Sequence, residues 1–175
     1  MEEHGGIEHA GSATAGGASA PTIPVFGHEG FSGITRLKLP TNGRIALPSH
    51  LKGAFVDAAK ILPIGKRFLN LYTPAGFTAT VNVAASADTA KAVVDPRVRK
   101  RMYMRAAAVS VDSQSRFVLP PELRDTVGIV PGEEIVLAGA IEAIEIWPAA
   151  RFDEVEGDGL DEIELLLGNF EGLSE

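Results

Sequence analysis

The alternation of apolar and polar side chains begins abruptly after Ile34. Leu37 and Leu39 alternate with Arg36 and Lys38, a period of two that predicts a half-buried strand. Pro40-Thr41-Asn42-Gly43 reads as a reverse turn, because an Asn-Gly pair takes positive φ at little cost. Ile45 and Leu47 resume the alternation until Pro48 stops it, and Ser49 is placed to cap a short helix through about Ala59. Two further short strands are predicted over 61–64 and 68–72, around Gly65-Lys66-Arg67.

The same plan then returns. Val109 and Val111 lead into a turn from Asp112 to Arg116, and Phe117-Val118-Leu119 forms the next strand. Pro121 suits the first turn of a helix over 122–127, and Gly128 suits its end. Pro131-Gly132 is a turn, followed by strands over 135–138 and 144–147. Arg44, Leu47, Pro48 and Leu51 recur as Arg116, Leu119, Pro120 and Leu123 at a constant offset of 72 positions, as Leu37 and Leu39 recur as Val109 and Val111. Each unit is β-β-α-β-β. A unit of about 45 residues has too small a core to stand alone. Two copies can interleave their hairpins and share one core, which predicts a mainly β, α+β fold with a pseudo-twofold axis.

The segments outside the units are less regular. A weak helix is indicated from Gly76 to Ala87, against the preferences of Thr78, Thr80, Val81 and Val83. Asp95-Pro96 is a strong helix start, followed by Arg97, Arg101 and Arg105 on one stripe, expected to pack against acidic groups of its own or a neighbouring subunit. After Pro148 a short helix is expected over 151–156, broken by Gly157-Asp158-Gly159. Leu160, Ile163, Leu166, Leu167 and Phe170 then make one apolar face, with Asp161, Glu162 and Glu164 elsewhere, and the segment either packs on its own subunit, frays, or serves as a docking helix. The organisation is a tail over 1–30, units over 34–78 and 106–149, a helical linker over 79–105, and an acidic C-terminal helix or tail over 150–175.

Composition changes the picture through charge. The 175 residues are 45% apolar and 22% charged, as in an ordinary globular protein. The net charge of −7 conceals a division, because residues 1–30 carry four acidic side chains and 152–175 carry nine, with no Lys or Arg in either. All 16 basic residues lie in 31–151, against 10 acidic ones. A basic body between acidic tails fits an anionic partner such as nucleic acid, and the arginine turns narrow the expected partner to double-stranded DNA. The tails also aid solubility. The N-terminal tail, rich in Gly, Ala, Ser and Thr, is expected to be disordered.

Several chemistries are disfavoured. Without cysteine there are no disulfides, thiol nucleophiles or cysteine-based zinc sites. His4, His9 and His28 are scattered in the tail, and no metal site is expected there. His50 is the only other histidine, no paired carboxylates lie in an apolar setting, and no glycine-rich phosphate loop is present. The expectation is therefore no enzyme, no cofactor and no small-molecule substrate. With no apolar run of the roughly 18–20 residues a spanning helix needs, and no basic leader, a cytoplasmic protein without membrane association is expected.

The arginine turns remain. An arginine at a tight turn beside Asn42-Gly43 is exposed, and a two-stranded ribbon is narrow enough for the major groove, where Arg reads guanine O6 and N7. Arg44, Asn42, Gly43, Arg36, Lys38, Arg116 and Gln114 are the candidate DNA contacts. Arg116 either contacts DNA or forms a structural ion pair with Asp112, the motif residue, that stiffens the turn. Arg44 is expected to be the stronger contact, since Arg36, Lys38 and Arg44 cluster without a carboxylate.

Gly-Arg-Ile-x-Leu-Pro after a strand and turn resembles the AbrB-like swapped-hairpin fold. Two such units, the second running from Asp112 to Arg124 with a later Ile144-Glu145-Ile146-Trp147, resemble the MraZ family of bacterial transcriptional regulators of the division and cell-wall gene cluster. The resemblance covers about residues 31–155. It implies a double-unit barrel, ring-shaped homo-oligomers, nucleoid association and repression through promoter repeats. The family mark, Asp-x-x-x-Arg, is kept as Asp112 and Arg116, whereas Pro40 replaces the aspartate in the first unit. Ser115 replaces the usual glycine in the second. The other reading is an AbrB-fold antitoxin whose acidic C-terminal segment wraps a toxin, although that class resembles a single unit.

Overall fold

A computed structural model describes residues 30–85 and 95–156 of the chain. The readings for the N-terminal tail and for the apolar face over 160–170 lie outside the described residues. The strands are β1 (Ile34–Lys38), β2 (Arg44–Ala46), β3 (Ala58–Ile64), β4 (Phe68–Tyr72), β5 (Ala107–Ser110), β6 (Arg116–Val118), β7 (Glu134–Ala140) and β8 (Ala143–Pro148). The helices are α1 (Pro74–Ala85), α2 (Pro96–Arg105), α3 (Pro121–Val127) and α4, over 149–156, with a 3-10 helix at Ser49–Ala54. Among these helices none is long and apolar enough to cross a membrane.

The two units do not fold side by side. A six-stranded antiparallel sheet runs β1-β7-β8-β4-β3-β5, and β2 pairs with β6 in a separate two-stranded sheet. β1 and β2 therefore do not pair with each other, nor do β5 and β6. β1 takes β7 of the other unit as its neighbour, from Ile34 opposite Ala138 to Lys38 opposite Glu134. β5 takes β3, with Val109 opposite Ala59. Exchanging each strand for its counterpart in the other unit leaves the strand order unchanged. The expected barrel is not closed: among the described residues β1 and β5 are the edges of an open sheet.

Period-two burial explains this arrangement. Ile61, Leu69, Leu71, Ile135, Leu137, Ile144 and Ile146 point to one face, where they meet Ile45, Leu47, Phe117 and Leu119. The opposite face carries two smaller clusters. Leu62 and Tyr72 pack under Phe77 and Val81 of α1, while Phe68, Val136 and Trp147 pack under Phe152 of α4. Buried on both faces, β7 and β8 are nearly continuous apolar runs, as such strands must be.

Several local expectations need adjustment. The helix after Pro48 is 3-10 and stops at Ala54, not Ala59, because Phe55 is extended and Asp57 takes φ 62° before β3 begins. Ser49 makes no capping bond, and Pro48 occupies that position. The weak helix is real: it starts at Pro74, where Thr73 Oγ1 accepts the Gly76 N–H at 3.0 Å, and it buries Phe77 and Val81, one turn apart. Thr73-Pro74 is a start signal that the reading from Gly76 passed over. Asp95 does cap α2, accepting the Arg97 N–H at 2.8 Å, and Gly128 ends α3 at φ 76°. The folded body reaches back to Phe31, which bridges to Ile141 and stacks on Phe55 with centroids 5.4 Å apart.

Candidate nucleic-acid interface

The two arginine turns come together because β2 and β6 pair. Ile45 lies opposite Phe117, and both side chains are fully buried, which turns their neighbours outward. On the outer side, Arg44 faces Val118 and Ala46 faces Arg116, so the two arginines occupy one diagonal of a short ribbon. Beside it lies a shallow cavity of about 330 Å³ lined by Arg44, Val109, Ser110, Asp112, Arg116 and Val118.

The turns that present them are built alike. Gly43 N–H donates to Pro40 O at 2.8 Å, and Ser115 N–H donates to Asp112 O at 2.8 Å. Gly43 (φ 69°) and Ser115 (φ 58°) are both left-handed. Each turn also grips the other unit: Leu119 N–H donates to Gly43 O at 2.9 Å, and Leu47 N–H donates to Ser115 O at 3.0 Å. The replaced family residues are compensated locally. Where the first turn lacks the aspartate, Asn42 Oδ1 accepts the Arg44 N–H at 3.0 Å. Asn42 acts through its side chain, and Gly43 alone supplies the positive φ.

Asp112 is the hub of the second turn. Its Oδ1 accepts the N–H groups of Gln114 and Arg116, each at 2.9 Å, while Oδ2 accepts Arg116 Nε at 2.9 Å. Partial desolvation pushes the carboxyl pKa up, but the bonds from Arg116 and Gln114 outweigh it and hold the group below its ordinary range. Gln114 contributes its backbone N–H to this arrangement.

The expectation of a carboxylate-free cluster around Arg44 is overturned. Arg44 Nη2 lies 3.9 Å from Asp112 Oδ2, across the unit boundary. Arg36 is held by Asp153 of α4 and by Glu134 at 3.4 Å, with its guanidinium over the Phe152 ring. Its neighbour is therefore α4, and its pairing explains the depressed pKa of Asp153. Lys38 lies opposite Glu134 in register and has no ion pair among the described residues. The two turn arginines differ in freedom: Arg44 is 46% exposed and loosely paired, Arg116 is 36% exposed and tightly bonded.

One basic residue at this surface was not singled out from sequence. Arg124 of α3 lies against the first turn, where a Cβ on Gly43 would stand 3.2 Å from its Nη1. Its buried Nε and Nη1 have no hydrogen-bond partner among the described residues. The offset of 72 places it on Lys52, so both copies keep a cation there, and that was the available signal.

Fold and turns together define a duplicated α+β protein whose arginine-bearing ribbon is assembled from both halves of one chain. The family model described as MraZ protein, antitoxin-like, matches residues 102–161. A protein from Parafrankia sp. named transcriptional regulator MraZ is 32% identical over 130 residues, covering 73% of this chain and 87% of the relative. Proteins of the same name from Alcanivorax borkumensis and Cutibacterium acnes are 26% and 29% identical, over 73% and 71% of this chain and 88% and 85% of theirs. The chain belongs to the MraZ family, and the names of these relatives support a role in transcription regulation.

Proposed function

We propose that this chain is a sequence-specific, DNA-binding transcription regulator whose reading surface is the β2–β6 ribbon. The observation that carries the proposal is the diagonal of Arg44 and Arg116 on one exposed ribbon face. A ribbon of this width fits a major groove, and each arginine that pairs bidentately with guanine contributes roughly 1–3 kcal/mol of discrimination. Lys38 supplies a phosphate contact that positions the ribbon, and Arg124 backs the first turn from beneath. Arg44, the freer arginine, is the principal reader, with Asn42 and Gly43 shaping its turn. Arg116 and Gln114 hold the second tip, and Arg36 braces α4.

The exchanged strand neighbours support reading each unit as a swapped hairpin completed by the other. One ribbon per chain offers few contacts, so the DNA-bound form is a homo-oligomer, a ring as the family resemblance implies, acting at promoter repeats of the division and cell-wall genes. It works as a repressor at the nucleoid in the cytoplasm. Electrophoretic mobility shift with the promoter of its own gene neighbourhood tests this. Specific binding is expected that weakens steeply with salt, with Arg44→Ala more damaging than Arg116→Ala and Arg36→Ala nearly silent. Absence of a specific shift, together with copurification of a basic toxin, would favour the antitoxin reading instead.

A further inference from the structure

The groove between α2 and β3 has an unmatched chemistry. It is a cavity of about 600 Å³ lined by Leu62, Pro63, Val98, Arg101, Met102, Met104 and Arg105. α2 buries none of its residues, and Met104 is 74% exposed. The helix carries Arg97, Arg99, Lys100, Arg101 and Arg105 and no carboxylate. Among the described residues none of these five cations has a carboxylate within 4 Å. Cations spaced one turn apart repel, so an apolar floor with an arginine rim calls for an acidic, amphipathic occupant.

We propose that the occupant is this chain's own C-terminal segment, residues 160–170. Residues 157–175 carry six acidic side chains and no Lys or Arg, the reverse of α2. Leu160, Ile163, Leu167 and Phe170 recur at the spacing of one helical face, leaving Asp161, Glu162 and Glu164 to reach the arginines. Position favours the same chain. α4 and α2 cover one face of the six-stranded sheet, and Ile64 packs against both the cluster holding Met102 and the cluster holding Phe152. α4 is described to Glu156, and residues 157–159 span up to about 10 Å when extended. Tethering raises the local concentration of the segment far above that of any free partner.

The absence of cysteine makes the test clean, since any introduced thiol is unique. The first measurement is alkylation by maleimide of full-length Met104→Cys, at an exposed site where folding is not at risk. Adding Ile163→Asp and Leu167→Asp is expected to speed the reaction about tenfold at low salt, as the tethered segment is released. Equal rates would overturn the proposal. The second pairs Met104→Cys with Ile163→Cys, Leu166→Cys or Leu167→Cys under mild oxidation. A disulfide within one chain, seen as a faster monomer on a non-reducing gel, supports it. Disulfide-linked dimers would give the groove to a second copy, and no disulfide in any of the three pairs would leave the segment elsewhere; either result refutes the same-chain seat.

Discussion

Asp112 and Arg116 are joined three times. The arginine N–H and Nε each donate to the carboxylate at 2.9 Å, and Asp112 N–H returns a bond to Arg116 O at 2.9 Å. The turn therefore holds Arg116 by its backbone and its side chain at once. Its neighbour Arg44 shares the same carboxylate from 3.9 Å. One acid thus fixes the second cationic tip and stands within ion-pair range of the first.

The folded turn bonds the ionised form of Asp112, so folding holds the pKa below its unfolded value, about 4. The stability this supplies is complete above the unfolded pKa and is lost as pH falls through the lower, folded value. Amide hydrogen exchange at Gln114 and Arg116 is expected to lose protection on acidification below about pH 4. Asp112→Ala should show that loss already at neutral pH. If Asp112→Ala leaves both amides as protected as in the parent, the hub role is wrong.

The two turns invite a reciprocal exchange. Gly43→Ala places a side chain at φ 69° against Arg124 and Leu119 O, and the left-handed cost of roughly 1–2 kcal/mol outweighs the lower entropy of the unfolded alanine. Ser115→Gly, at φ 58°, removes the same cost and should be neutral or stabilising by up to about 1 kcal/mol. The urea denaturation midpoint should fall for Gly43→Ala and stay level or rise for Ser115→Gly.

Gly139 has a different reason to be glycine. A Cβ there would stand 2.3 Å from Ser32 N and 2.5 Å from its Cα, both backbone atoms that cannot swing aside. Gly139→Ala should therefore displace the strand-like segment that seats Phe31, at about 1–3 kcal/mol. Loss of the Phe31–Phe55 stack, followed by near-ultraviolet circular dichroism, checks it. An unchanged spectrum with unchanged stability would refute the close approach.

Phe117 is 1% exposed and lies opposite Ile45 at the centre of the ribbon. Phe117→Ala should cost about 3–5 kcal/mol, seen as a lower denaturation midpoint. Because the same pair sets the outward turn of both arginines, the proposed DNA binding should weaken with it even in the fraction that stays folded. Retained affinity in a destabilised variant would separate the ribbon from the reading surface.

The legible part of this molecule was the part written in local periodicity and repetition. The offset that carries Arg44 onto Arg116 located both turns, and the alternation at Leu37 and Leu39 located β1. Partner choice was not legible. That β1 lies beside β7, and β2 beside β6, depends on which apolar faces fit in three dimensions. The repeat aligns two copies without showing that they meet. For the same reason Arg44 read as free of carboxylates, when Asp112, distant in sequence, lies across the ribbon from it. Arg36 misled differently: its place on an exposed strand was clear, but Asp153 comes from a helix far along the chain.

The crossed neighbours of the six-stranded sheet have a bearing on how the protein is made. As the chain leaves the ribosome, β3 and β4 can zip at once, while β1 waits for β7 and β2 waits for β6. Long-range pairing of this kind is slow to close. Until synthesis reaches the second half, two finished strands stand bare, so premature termination yields a sticky fragment rather than a half-sized regulator.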